Sequence, residues 1–371
     1  MIQAEIPAAW QEAFDRITAL PPASVVLIVG DTDTGKSSFA LAVARKLAET
    51  SERIAVVDAD IGQGEIAPPG TVATAWMKPD ATKAADLRPA ATFFVGSFSA
   101  SAVPLEHAVA AASAVRHART RRADVVLVDT TGFVAGPTAR RLKCAKAAVI
   151  QPALILAFGA DTHPETFALA RAASLSGGGA PVLTVSVPAN VGRKPPTMRS
   201  VRRQTRLAAY FGDAPTTVTV PLFGMATLGA TLGTGTAIAP HLALWAGETL
   251  ALPVVHGETV GEILTLFVAG AIRPGFAAAL GAVQTQFGCR TVRVVSLPAH
   301  DGVLLGLHDD EGRLFCLGRY AGFDSEAVGI TVTVPGGAAT VARERTRLLA
   351  FGRVRTDGSG RTVGEVKAGE L

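Results

Sequence analysis

Cysteine is nearly absent from this chain, with three in 371 residues (Cys144, Cys289 and Cys316). They lie far apart and have no metal-ligand spacing, which excludes a disulfide scaffold and a zinc ribbon. Reduced, buried thiols of a cytoplasmic protein are expected. Charge is also sparse, at 18% of residues against 49% hydrophobic. That balance excludes a disordered polyelectrolyte and leaves material for large cores. A secretory leader is missing. The first segment, residues 6–20, is amphipathic, carries Glu12, Asp15 and Arg16, and ends at Pro21-Pro22. No long apolar run is present either. Asp, Glu, Lys and Arg are absent between Asp213 and Glu248, but Gly, Thr and Pro240 interrupt that stretch. It reads as buried strands and turns, not as a bilayer helix, and no membrane partner is expected. The net charge of +4 permits an anionic partner.

Against these absences one motif stands out. The apolar run 24–29 leads into Gly30-Asp31-Thr32-Asp33-Thr34-Gly35-Lys36-Ser37-Ser38, and a helical pattern follows from Phe39. Strand, GxxxxGK[ST] and helix in that order specify a P-loop. Its glycines let backbone N–H groups curl around phosphate oxygens at the positive end of a helix. Residues 30–38 are therefore the expected ATP site. Lys36 would reach the β- and γ-phosphates, and the Ser37 hydroxyl would ligate Mg²⁺.

The length favours two domains. Between residue 24 and about 190, apolar runs at 25–30, 54–58, 92–95, 125–129, 154–158 and 182–187 alternate with helical segments such as 104–119 and 138–146. This is an α/β pattern with a mostly parallel sheet flanked by helices. Near Asp213, Val/Thr-rich segments and glycine-rich turns take over, at 291–296, 302–307, 314–317 and 329–334. The expected organisation is an N-terminal helix (1–23), a P-loop domain with an arginine-rich lid (24–212), and a smaller β-rich domain (213–371). The tail from about Thr356 is polar and is expected to fray. Gly177-Gly178-Gly179 follows a helix, so it reads as a loop without phosphate-binding chemistry.

Three further clusters add chemistry. Asp58-Ala59-Asp60-Ile61-Gly62-Gln63 follows the second strand. A carboxylate at that strand end, beside the γ-phosphate, can accept a hydroxyl proton or hold Mg²⁺. Asp60 is favoured for that task, and Asp58 serves equally well as a turn cap. Val125-Val126-Leu127-Val128-Asp129 has the Walker B form, with Asp129 near the metal. After it, Thr131 and the Gly132 backbone can touch phosphate or sugar. Phe133 can stack on a base or simply pack into the core. Arg193, Lys194, Arg199, Arg202, Arg203 and Arg206 form a basic run with no acid until Asp213. Arg199, Arg203 and Arg206 share one helical face. Such a face can bind phosphate or remain a solvated surface.

Together these stretches resemble the RNA 5′-hydroxyl kinase family. It includes the kinase subunit of the eukaryotic pre-mRNA cleavage and tRNA-splicing machinery, nucleolar rRNA-processing kinases and archaeal polynucleotide kinases. The resemblance covers roughly residues 24–355 and rests on four motifs: the P-loop with Asp33 inside it; the Asp-x-Asp-x-Gly-Gln run ending at Pro69-Gly70; the Thr-x-Gly-aromatic motif that ends at Phe133; and the arginine lid ending at Tyr210-Phe211. The P-loop alone is generic, whereas the second motif together with the lid is specific. The resemblance implies ATP- and Mg²⁺-dependent phosphorylation of a polynucleotide 5′-OH, RNA before DNA. Lys36, Asp60, Arg203 and Arg206 would be catalytic, with Asp60 as general base. Ser37, Asp60 and Asp129 would serve the metal. Gln63, Thr131, Gly132, Phe133 and Arg199 would hold the acceptor.

Two departures stand out. Only about 23 residues precede the first strand, too few for the N-terminal β domain of eukaryotic members. Phe133 stands where the family commonly has Trp, which reduces the π-surface and removes an N–H donor. Two other functions compete with the kinase. A non-catalytic ATP-bound scaffold would keep the P-loop without turnover. A P-loop NTPase or GTPase would need a guanine-reading Asn-Lys-x-Asp motif, which the chain lacks.

Overall fold

The computed structural model describes residues 6–51, 53–78, 80–188, 192, 195–272, 275–367 and 369–371. Arg193 and Lys194 of the basic run lie outside them. The chain divides into two compact units, Met1–Arg206 and Leu207–Leu371.

In the first unit the apolar runs become central strands: β1 (Ser24–Gly30), β2 (Ile54–Ala59), β5 (Val125–Thr130) and β6 (Leu154–Phe158), each buried along its whole length. With β3 (Thr71–Trp76), β4 (Pro89–Phe94) and β7 (Val182–Val185) they form one sheet in the order β4-β3-β2-β5-β1-β6-β7. Five neighbouring strands, β2 to β7 in that order, run parallel. Strands β3 and β4 are antiparallel. This corrects the reading of 92–95 as one more buried parallel strand. The intervening β3, Thr-Val-Ala-Thr-Ala-Trp, has mostly small side chains and so a weak apolar signal.

Side chains alternate across β1. Val25, Leu27 and Val29 join one core with α3 (Pro104–Thr120), α4 (Gly136–Ile150) and α5 (Pro164–Ser176). Val26 and Ile28 join the opposite core with α1 (Gln11–Thr18) and α2 (Lys36–Leu47). Covering both faces keeps the parallel strands dry and leaves their C-terminal ends for chemistry. Helix α6 (Pro196–Phe211) carries the arginines.

The second unit holds two sheets. One has the order β10-β11-β12-β13, formed by β10 (Thr236–Ala237), β11 (Val254–Val260), β12 (Ile263–Val268) and β13 (Thr291–Ser296). The other contains β8 (Thr216–Pro221), β14 (Val303–His308), β15 (Leu314–Asp324), β16 (Gly329–Val334), β17 (Leu348–Thr356) and β18 (Thr362–Glu365). Within the uncharged stretch 214–247 the expectation of strands and turns is corrected by a helix. Pro240 opens the helix Pro240–Leu250, where its fixed φ suits a first turn and its missing N–H costs nothing. The tail is ordered, not frayed: β18 pairs with β17, and Leu371 is buried with its carbonyl accepting from the Leu232 amide. Local sequence carries no sign of such distant partners. Cys289 and Cys316 are buried, whereas Cys144 is partly exposed on α4; all three are free thiols. Among the described residues no helix is long and apolar enough to cross a membrane.

Candidate active site

The loop between β1 and α2 has the backbone of an anion cradle. Asp33 and Gly35 both take positive φ, at 57° and 89°. Alternation of right- and left-handed residues turns successive N–H groups to one side. Gly35 meets that geometry without a Cβ penalty. The loop also ties itself together. Asp31 accepts from the Thr32 amide at 2.6 Å, and the Thr34 hydroxyl donates to the Asp31 carbonyl at 2.9 Å. Lys36 is buried and donates to the Asp31 carbonyl at 2.5 Å. Burial lowers the pKa of this ammonium, and the charges of Asp129, Asp60, Asp31 and Asp33 oppose that effect.

Two carboxylate-bearing strand ends flank the loop. Asp58 on β2 and Asp129 on β5 are register partners on adjacent strands. The Ser37 hydroxyl donates to Asp129 Oδ2 at 2.5 Å. Asp129 Oδ1 is buried and has no hydrogen-bond partner among the described residues. Burial pushes Asp129 up to about 7, with Lys36 opposing. An unsatisfied buried carboxylate oxygen beside a serine hydroxyl suits a hard cation. Among the described residues no three His, Cys, Asp or Glu side chains could hold a metal by themselves. An ion here would depend on Ser37, Asp129, phosphate oxygens and water.

Asp58 does what its turn-cap reading described. Its carboxylate accepts from the backbone amides of Asp60, Glu65 and Ile66 and so shapes the loop after β2. Burial nevertheless pushes it up to about 6. Asp60 Oδ1 accepts from the Gly62 and Gln63 amides at 3.1 and 3.0 Å. Asp60 also lines a cavity of about 450 Å³ together with Ser37, Ser38, Gln63, Glu65 and Asp129. That cavity gathers the metal-site residues and the candidate base around one space.

The arginines on α6 have distinct partners, which corrects the picture of a guanidinium face free of carboxylates. Arg199 pairs with Asp33 of the P-loop at 3.3 Å. Its carbonyl receives the Gln63 side-chain amide at 3.3 Å. Arg202, on the neighbouring face, pairs with Glu65. Arg206 donates to the Glu65 and Ala67 carbonyls, both at 2.8 Å. Arg203 lies over the Phe98 ring at 5.4 Å, and its buried Nε has no partner among the described residues. Glu65 and Phe98 were not singled out from the sequence, because only the tertiary contact gives them a role.

Thr131 is buried, and its hydroxyl has no partner among the described residues. A Cβ at Gly132 would overlap the Thr32 backbone, so only glycine lets this loop approach the P-loop so closely. Phe133 is half-buried against the core that contains α3 and α4. It thus combines the packing role with a partly exposed ring. Behind this loop, α4 buries Lys143 and Lys146, two further residues the sequence reading did not single out. Their signal was available: both fall on the face of α4 that also carries Leu142, Ala147 and Ile150.

With the geometry in hand, comparison with known proteins is specific. The P-loop family of the mRNA cleavage and polyadenylation factor CLP1 matches residues 30–213. A polyribonucleotide 5′-hydroxyl-kinase of Thermococcus kodakarensis is 27% identical, over 99% of this chain and 98% of its own. One of Pyrococcus furiosus is 26% identical, over 97% and 95%. One of Pyrococcus horikoshii is 35% identical over a shorter stretch, 41% of this chain and 42% of its own. Among solved structures, a complex of wild-type Clp1p with a segment of Pcf11p superposes with a TM-score of 0.55. It covers 94% of this chain and 77% of that one at 11% identity, which is a likeness of fold.

Proposed function

We propose that this chain, which belongs to the RNA 5′-hydroxyl kinase family, transfers the γ-phosphate of ATP to the 5′-OH of a nucleic acid, with RNA as the preferred acceptor. The observation that carries this reading is the shared cavity. The P-loop serine at the start of α2, the Walker B carboxylate of β5 and the Asp60 carboxylate just after β2 line one space. An acceptor hydroxyl and a γ-phosphate need that proximity for in-line transfer.

In the reaction, the acceptor 5′-oxygen attacks the γ-phosphorus while the bond from that phosphorus to the β–γ bridging oxygen breaks. Asp60 takes the hydroxyl proton. Its ties to the Gly62 and Gln63 amides hold the carboxylate in place for this task. Lys36 leaves its carbonyl partner for the phosphates. Arg203, held over Phe98, supplies positive charge for the equatorial oxygens of the transition state. Mg²⁺ bound by Ser37 and Asp129 would neutralise the β- and γ-phosphate oxygens. Thr131, Gly132, Phe133 and Gln63 receive the terminal nucleotide, and Arg199 closes α6 onto the P-loop. The relatives' names specify polyribonucleotide, which favours RNA as the acceptor here.

The test is transfer of labelled γ-phosphate from ATP to matched 5′-OH RNA and DNA oligonucleotides. Wild-type protein should label RNA more strongly. Lys36→Ala should abolish labelling. Asp60→Asn should lower kcat roughly 10²- to 10⁴-fold with little change in melting temperature, because asparagine retains an oxygen for the two amides. Full labelling by Asp60→Asn would remove it from the role of base.

A further inference from the structure

Helix α4 spends two charged residues where the fold needs none. Lys143 and Lys146 are each 0% exposed. Burying an ammonium is costly unless charge compensates it, and a well-packed apolar residue commonly serves stability as well or better. The groups that receive these lysines are neutral. Lys143 Nζ donates to the Thr130 hydroxyl at 2.6 Å and to the Thr131 carbonyl at 2.7 Å. Lys146 Nζ lies 2.7 Å from His107 Nε2 on α3. That same nitrogen is 2.8 Å from the Ala59 carbonyl.

These contacts converge on one level of the sheet. Ala59 and Thr130 are register partners, one step beyond the Asp58 and Asp129 pair. The next residues along the two strands are Asp60 and Thr131. The Thr130 hydroxyl, receiving Lys143, passes its own hydrogen to the Ile28 carbonyl at 2.7 Å. Ile28 lies on β1, two residues before Gly30. The network therefore grips β2 and β5 at their last residues and β1 two residues before its end, the three strands that feed the Asp60 loop, the Thr131–Phe133 loop and the P-loop. Burial lowers the pKa of both lysines, and the charges of Asp60 and Asp129 pull the other way, so the pair also feels the charge of the site.

We propose that Lys143, backed by Lys146 and His107, is a positioning residue for phosphoryl transfer that sets the spacing of the acceptor loop and the Asp60 loop relative to the P-loop. The inference rests on the kinase reading above. None of the three side chains touches the reacting atoms. Their effect is on alignment, where a displacement of about 1 Å costs on the order of 100-fold in rate.

The experiment uses the full chain with Lys143→Met, which keeps the length and apolar stem and removes the hydrogen-bonding amine head. Transfer to a 5′-OH oligonucleotide, ATP hydrolysis to water, ATP affinity and melting temperature are measured together. The expected result is a fall in kcat for transfer of roughly tenfold or more. The transfer-to-hydrolysis ratio should drop, while ATP affinity and melting temperature hold. Thr130→Val, which breaks the relay to Ile28 with an isosteric side chain, should shift the ratio the same way, and it decides the matter if Lys143→Met does not fold. Parallel loss of transfer, hydrolysis, ATP affinity and thermal stability would overturn the proposal in favour of a purely structural lysine. An equally active Lys143→Met would overturn it alone, leaving the kinase reading intact. A wild type that transfers nothing would overturn both.

Discussion

At the scale of single residues, the site separates arginines that share one helix but hold different partners. Arg206 gives one Nη to two backbone carbonyls of the loop after β2, whereas Arg203 makes no such bond and rests on the Phe98 ring; Arg203 Nε and Arg206 Nη1 have no partner among the described residues. Substitution should split accordingly. Arg203→Lys should lower kcat by about 10²-fold or more with thermal stability nearly unchanged, since it removes the planar, many-donor head that suits a phosphoryl transition state. Arg206→Ala should lower the melting temperature, because two part-buried carbonyls lose a charged donor, at a cost of about 1.5–3 kcal/mol. Steady-state kinetics together with calorimetry on both variants checks the split. At this scale the sequence singles out residues where a motif has its own local geometry. Gly30 to Ser38, Asp60 and Asp129 are legible because glycine, lysine, serine and aspartate at those spacings leave few alternatives. Glu65, Phe98 and His107 had no such signature; their roles arise from contacts with residues 39 or more positions away.

At the scale of elements, α4 has the most to test. Its apolar face contains a lysine whose pKa burial lowers from 10.5 to about 7. Between those values the unfolded chain binds a proton that the folded protein does not. Stability must therefore rise with pH across that window, by about 1.4 kcal/mol per pH unit for this group. Lys143, also lowered, acts in the same direction. Cys316, pushed up to about 11, works against them once its unfolded thiol ionises near pH 9. Asp129, pushed up to about 7, opposes them at the lower end, so the clean window is pH 8 to 9. Urea denaturation at pH 8 and 9 should show stability rising in wild type and a flatter dependence in Lys146→Met. An unchanged slope would mean that Lys146 stays charged in the fold. The strands β1, β2, β5 and β6 were legible in the sequence because burial on both faces demands unbroken apolar runs. Strand β3, built largely of Thr and Ala, was hidden because its signal is tertiary packing.

At the scale of the whole molecule, the chain is two compact units, and each has its own closing contacts. The second unit is finished by its last ten residues, through β18 and the buried Leu371. Truncation after Arg361 should lower the first melting transition by roughly 5 °C, the shift expected from losing one or two kcal/mol in a unit of this size. ATP affinity of the folded protein should be unaffected. Calorimetry with and without nucleotide checks both outcomes; an unshifted transition would show that the tail is dispensable. The tail was expected to fray because its composition is polar. Composition cannot report that a distant strand and the Leu232 amide wait for it.

By itself, the sequence determined the phosphate loop, the chain order of the parallel strands in the first unit, and the chemical identity of the groups at the strand ends. Those features follow from local rules: which residues tolerate positive φ, which runs must be dry, and which side chains can hold a proton or a cation. Tertiary structure alone decided which arginine is spent on loop carbonyls, which tail residues are buried, and where α4 places its two lysines. Each of those outcomes depends on groups that are remote along the chain and become neighbours only when the sheet and its helices close around them.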